Sequence, residues 1–168
     1  MSMITEALLF TWRKNGKRAQ DLFANIPDNH LVDQSAGLNN HPAWSLSHLM
    51  LYHPSIVSLA RSEAVPDPAQ ASGAGKFGNG SKPVTDATAY PSRARLIERF
   101  TSGHAQVEAA LAATDAAIFA QDPGLERWKS AFGTSGNALI YFMIYHETHH
   151  LAEIADWKKV HGIPVVAG

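Results

Sequence analysis

Apolar residues recur every three or four positions along most of this chain, and no stretch alternates with the period of two that a half-buried strand needs. A period of three to four is one face of an α-helix. It confines the chain to folds in which helices bury stripes against one another. The first stripe is Ile4, Leu8, Leu9, Trp12, Ala19, Leu22, Phe23 and Ile26, stopped by Pro27. After a polar stretch from Asp28 to Asn40, Pro42 opens a second run reaching about Ser62, with Trp44, His48, Leu51, Tyr52, Ser55 and Leu59 on one stripe. Pro54 lies inside it and is expected to kink or split the helix. The third run is Ser92 to Thr114, capped by Ser92, with Leu96, Phe100, His104, Val107 and Leu111 inward. The fourth is Thr134 to His161, closed by Gly162 and Pro164. Two connections remain. Glu63 to Pro91 is rich in Pro, Gly, Ser and Ala, and is longer than a plain loop in a compact domain. It is expected to be a crossover with some local structure or a functional flap. Asp115 to Gly133 holds Trp128 and Phe132. The expectation is an all-α four-helix bundle, one domain over residues 1–168, with a long connection between helices two and three.

Charge and cysteine content narrow the chemistry. Lys and Arg number 14 and Asp and Glu 15, a net charge of −1, so nucleic-acid binding has no electrostatic warrant. No run of about 18 apolar residues predicts a membrane span. Met1 to Phe10 lacks the basic start and small-residue cleavage site of a secretory signal, so a cytoplasmic protein is expected. The absence of cysteine excludes disulfides, thiolate metal sites, iron–sulfur clusters and cysteine nucleophiles. Nine histidines are present, so a metal would rest on imidazole and carboxylate.

Helix four carries histidines in register with its apolar face. Its stripe is Leu139, Met143, Ile154 and Trp157, and His146 and His150 fall between them. Four residues apart is about 40° around the axis, the spacing at which two imidazoles can grip one metal ion. His149 offers an alternative pair with His146, but the register favours His146 with His150. One inward histidine is ordinarily a core residue satisfied by its neighbours. Two stacked neutral imidazoles need about four hydrogen-bond partners in one small volume, and a metal satisfies one nitrogen of each. His48, inward on helix two, supplies a third imidazole. Three protein ligands with open positions is the catalytic pattern.

His104 is inward on helix three and reads as a fourth ligand, a partner of a ligand, or a core histidine. His30, His41, His53 and His161 read as solvated or capping. Glu147 and Glu153 could orient an imidazole, act as base, or face water, and the solvated surface is expected for both. His146, Glu147 and His150 also satisfy the metalloprotease pattern literally, with Glu147 as base. Those enzymes pair the motif with a substrate-binding strand, which this sequence lacks. Three further matches fail their context. Gly73 to Gly78 spells G-x-G-x-x-G with no strand before it and no helix opening from it, so a flexible loop is expected. Asn79-Gly80-Ser81 is a glycosylation acceptor without a secretory signal. Gly133 to Gly136 reads as a helix cap at Thr134 or Ser135 rather than a nucleophile elbow.

Pro42-Ala43-Trp44-Ser45-Leu46-Ser47-His48-Leu49 and His146-Glu147-Thr148-His149-His150, with the Trp157 to Gly162 exit, carry a likeness. Over essentially its whole length the chain resembles the DinB/YfiT-like family of four-helix-bundle metalloenzymes. The resemblance implies one divalent metal ion, nickel or zinc, held by His48, His146 and His150, with solvent or substrate completing the shell. It implies a thiol-dependent transferase or isomerase that joins a small electrophilic substrate to a low-molecular-weight thiol such as bacillithiol, mycothiol or glutathione. A hydrolase using metal-bound hydroxide, with Glu147 or Glu153 as base, and a non-catalytic stress-linked binding protein are the alternatives. A homodimer is also implied. His149 stands where an aromatic is frequent, and Leu151-Ala152-Glu153 where small residues and Gln are found, which bears on substrate class more than on the metal. Trp44, His104 and His149 are expected beside the site, with Phe77 and Trp128 as pocket walls. Without cysteine in the chain, any thiol in the chemistry arrives with the substrate.

Overall fold

The apolar stripes become helices whose ends are set by local chemistry. The computed structural model describes residues 1–34 and 37–165. Part of the polar stretch between the first two helices and the last three residues therefore lie outside the described ones. Helix α1 (Met3–Phe23) starts at Ser2, whose Oγ accepts from the Thr5 N–H at 3.1 Å. The second run splits as Pro54 requires, into α2 (Pro42–Met50) and α3 (His53–Ala60), with Pro54 in the first turn of α3. Ser92 caps α5 (Arg93–Ala112), and Thr134 caps α7 (Ser135–Ile140) by accepting from the Asn137 N–H at 3.3 Å. Two shorter helices lie in the connections, α4 (Ala74–Phe77) and α6 (Glu126–Phe132). The long connection carries further 3-10 turns at Pro68–Gln70 and Ala87–Ala89, so it is the crossover with local structure.

Helix α1 packs on α5 and α8 (Glu147–Val160), α2 packs on the same two, and α3 packs on α5 and α7. The result is a ring of four rods: α1, α2–α3, α5 and α7–α8. This is the all-α bundle the periodicity predicts, and no strand occurs among the described residues. One departure lies in the fourth rod, where Tyr141–His146 winds as a π-helix between α7 and α8. A π-turn adds a residue to the hydrogen-bonded ring and rotates the later turns of the rod against the earlier ones. Asn15 of α1 supports the segment, donating from Nδ2 to the Met143 carbonyl at 3.3 Å and to Thr148 Oγ1 at 3.1 Å.

The core divides into two apolar clusters. One holds Leu22, Phe23, Leu46, Leu49, Leu96, Phe100, Leu151 and Trp157, the other Leu8, Trp12, Ile56, Val107, Leu111, Leu139 and Met143. The residues between them along each rod are polar and buried: Asn15, His48 and His53, His104, and His146, Glu147 and His150. A polar layer thus crosses the bundle at mid-height. Buried polar groups hold their place only when partnered, so this layer is where chemistry has to be sought.

Candidate metal centre

His48 leaves α2 and His146 and His150 leave the fourth rod toward one point. Their ligand atoms all lie within 4.8 Å of one another. His48 Nε2 and His146 Nε2 stand 3.0 Å apart. With metal–nitrogen bonds of about 2.1 Å, two nitrogens on one ion stand about 3.0 Å apart at a right angle and about 3.4 Å at the tetrahedral angle. The donor set therefore fits a divalent cation.

The outer nitrogens are tied down. His48 Nδ1 donates to the Phe77 carbonyl at 2.5 Å, and His150 Nδ1 donates to Glu153 Oε2 at 2.7 Å. Each bond fixes the tautomer that leaves Nε2 bare and aims the ring. Burial, reinforced by repulsion from neighbouring imidazoles, pushes His48 down to about 4 and His146 down to about 2. Both rings are therefore neutral at pH 7, with lone pairs available. A proton between His48 and His146 could hold those two nitrogens together, but a cation also employs His150, whose Nε2 has no hydrogen-bond partner among the described residues.

The Phe77 carbonyl is delivered by the glycine-rich segment. Gly73 takes φ +94° at the start of α4, and a Cβ on Gly78 would collide with the Ala74 carbonyl, which the Gly78 N–H approaches at 2.7 Å. The G-x-G-x-x-G spelling is thus a one-turn helix that presents an acceptor to His48. Trp44 stacks on His48 with centroids 4.7 Å apart, its Nε1 donating to the Lys76 carbonyl at 3.1 Å and so tying α2 to the same turn.

Glu153 is half-buried and accepts from His150, from Asn40 Nδ2 at 3.0 Å, and faces His149 Nε2 at 3.5 Å. Burial pushes its carboxyl up, and the hydrogen bonds from His150 and Asn40 outweigh that, leaving it below the ordinary carboxylate range. Glu147 lies elsewhere. It is 1% exposed and pairs with His104 Nε2 through Oε1 at 2.9 Å, and His104 stacks on Trp12 with centroids 3.7 Å apart. Burial drives Glu147 well above its ordinary pKa and His104 down to about 3. Glu147 Oε2 is buried without a hydrogen bond.

The solvated reading of Glu147 is corrected. Its flank, shared with Leu151 and Ile154, is itself core, because α8 is wedged between α1 and α2 and buries a wide arc reaching Lys158. His104 lies outside the three-histidine group and acts as the partner of Glu147. The surface reading of His53 is corrected too: it is 5% exposed and makes ring contacts with Trp12 and Phe100 but no hydrogen bond among the described residues. His41 caps α2 as expected, its Nδ1 accepting from the Trp44 N–H at 3.2 Å, yet it is fully buried.

A pocket of about 430 Å³ opens on the three histidines. Trp44, His149 and Glu153 line it, joined by Tyr52, Tyr141 and Tyr145, which sequence reasoning did not assign to the site. Tyr52 follows His48 by four residues, which is the one signal that could have found it. Phe77 supplies its carbonyl and not a wall of this pocket, while Trp128 is buried in the core against Phe142 at 4.6 Å. Glu147 and His104 do not line it either.

A family model described as the DinB superfamily matches residues 11–154. The chain belongs to the DinB superfamily. The match spans the polar layer on all four rods and includes the three ligand candidates. No curated protein and no solved structure gives a significant match. DinB-superfamily membership and the His48, His146 and His150 cluster are compatible with a metal-binding enzyme. No helix among the described residues is long and apolar enough to cross a membrane.

Proposed function

We propose that this DinB-superfamily chain is a metal-dependent enzyme that joins a low-molecular-weight thiol to a small electrophile, or uses the thiol to isomerise one. The observation that carries the reading is the convergence of three buried imidazoles, two of them held neutral, at the floor of a pocket large enough for a small molecule. Imidazole donors suit zinc or nickel. A divalent ion held there lowers the pKa of a bound thiol or water and so makes a nucleophile at neutral pH.

The chain's own residues do the rest. The Phe77 carbonyl and the Glu153 carboxylate orient two of the ligands. Trp44 and Tyr52 shield the imidazoles from water, stacking on or edging against them at 4.7 and 4.8 Å. A thiol must come from outside, since the chain has no cysteine. The second reading, hydrolysis, draws on the Glu153 carboxylate at the pocket wall. Its Oε2 already accepts from His150 and Asn40, Oε1 stands 3.5 Å from His149, and its carboxyl lies below the ordinary range, which makes it a weak base toward water.

Elemental analysis of protein purified without a metal-binding tag tests the centre. About one divalent ion per chain is expected, falling toward zero in His146→Ala and His150→Ala. Unchanged metal content in either variant ends the proposal, as does a metal-free protein whose stability ignores chelators. For the reaction, turnover of an activated electrophile should require added thiol. Equal turnover without thiol turns the assignment to hydrolysis.

A further inference from the structure

A second cavity, of about 840 Å³, opens in the seam between α2–α3 and α5 under the long connection. That volume lies in the range of small-molecule sites. None of the three histidine ligand candidates lines it. Its walls are mixed. Met50, Phe77 and Tyr90 give an apolar side, and α5 contributes Arg95, Glu98 and Arg99. Arg95 is engaged by Glu98 at 2.6 Å, whereas Arg99 has no ion-pair or hydrogen-bond partner among the described residues. The lining therefore carries one uncompensated positive charge.

His53 reaches the same cavity from α3. Its ring is wedged against Gly103, where a Cβ would collide with Nδ1, and it has no hydrogen bond among the described residues. Burial holds it down to about 4, so at pH 7 it is a neutral imidazole whose N–H has no protein partner among the described residues. The buried side-chain atoms without a partner among the described residues are Ser45 Oγ and Glu147 Oε2, so the His53 nitrogens are open to the cavity, and a ligand there can accept from the N–H in place of water. Arg99 and Gly103 are four residues apart on α5, about 6 Å along its axis, so the guanidinium and the imidazole border a common volume.

We propose that this cavity is a second ligand site, taking a small organic monoanion whose acid group lies between Arg99 and His53 and whose apolar body rests on Met50, Phe77 and Tyr90. One free cation matches one negative charge, an adjacent neutral N–H offers a second donor to the same acid group, and the apolar wall excludes a fully polar ion. The site does not depend on the metal proposal, although Phe77 connects the two: its side chain lines this cavity and its carbonyl holds His48.

Calorimetric titration of the full chain tests the assignment, with 4-phenylbutyrate as probe and 4-phenylbutan-1-ol as its uncharged counterpart. The acid should saturate one site, and the alcohol should bind about tenfold more weakly or worse. Arg99→Gln, at an exposed position, should weaken the acid by about tenfold. Ser102→Trp, which fills the cavity from α5, should abolish binding, and His150→Ala should leave it unchanged. The proposal is overturned by absent acid binding, by equal binding of acid and alcohol, or by an Arg99→Gln affinity within about twofold of the parent. It is equally overturned if His150→Ala removes binding, which would move the ligand to the metal pocket.

Discussion

Gly103→Ala should destabilise this protein even though alanine is the better helix former. Position 103 lies inside α5, where replacing glycine by alanine ordinarily gains about 1 kcal/mol. The added Cβ, however, would press into the His53 ring, closest to Nδ1, with Cγ at 3.1 Å and Cε1 at 3.2 Å. Contacts under 3.4 Å force the neighbour to yield, and His53 is hemmed in by Phe100 at 5.4 Å, Trp12 at 5.8 Å and His104 at 6.1 Å. Overpacking of this kind costs about 1–3 kcal/mol, and this contact, closer than real Cβ atoms show, belongs at the upper end. The clash outweighs the propensity gain, and the net loss should be about 1–2 kcal/mol. For a chain of this length that is a fall in Tm of roughly 2–8 °C.

The assay is urea denaturation at pH 7 of four proteins: the parent, Gly103→Ala, His53→Ala and the double variant. In the His53→Ala background the obstacle is gone, and Gly103→Ala should now stabilise by about 0.5–1 kcal/mol. The reversal of sign is the test. If Gly103→Ala is at least as stable as the parent, or has the same sign in both backgrounds, the placement of His53 against α5 is wrong, and the floor of the second cavity with it.

Further outcomes rest on the same geometry. Glu153→Ala removes the acceptor that orients His150 at 2.7 Å, so metal affinity in a chelator competition should fall about 10–100-fold while Asn40→Ala costs less; affinities within about twofold of the parent would remove Glu153 from the centre. Acidification should destabilise the fold between the ordinary histidine pKa of 6.5 and about 4, because the unfolded chain protonates His48, His53, His104 and His146 in that window and the folded chain does not. Glu147 works in the opposite direction, since its raised folded pKa stabilises the fold below its ordinary 4.5 and that contribution is lost as pH rises. The balance should be a loss of about 2–4 kcal/mol from pH 6 to pH 5 by urea titration, and a flat or rising stability would contradict the neutral assignment of the four histidines.

The sequence by itself determined the helices, their stripes and the three converging histidines. Periodicity and capping are local: Ser2, Ser92 and Thr134 begin helices wherever the chain goes, and Pro54 breaks one whatever packs on it. The spacing of His146 and His150 is set by the helix alone, and His48 joins them because it shares its own helix's inward face. What the spacing cannot contain is which arc of a helix a neighbour covers. Glu147 and His53 read as surface residues because a stripe has a nominal width, and the bundle decided otherwise by wedging α8 between α1 and α2 and by closing α5 over α3 at Gly103. The π-turn that ends at His146 is bonded by Asn15, more than a hundred residues away, and the His48 tautomer depends on a carbonyl from a glycine-rich turn that read as a flexible loop. Local propensity fixes the elements, but burial and hydrogen-bond partners are properties of pairs distant in sequence, so only the packed bundle separated the pocket residues from those that support them.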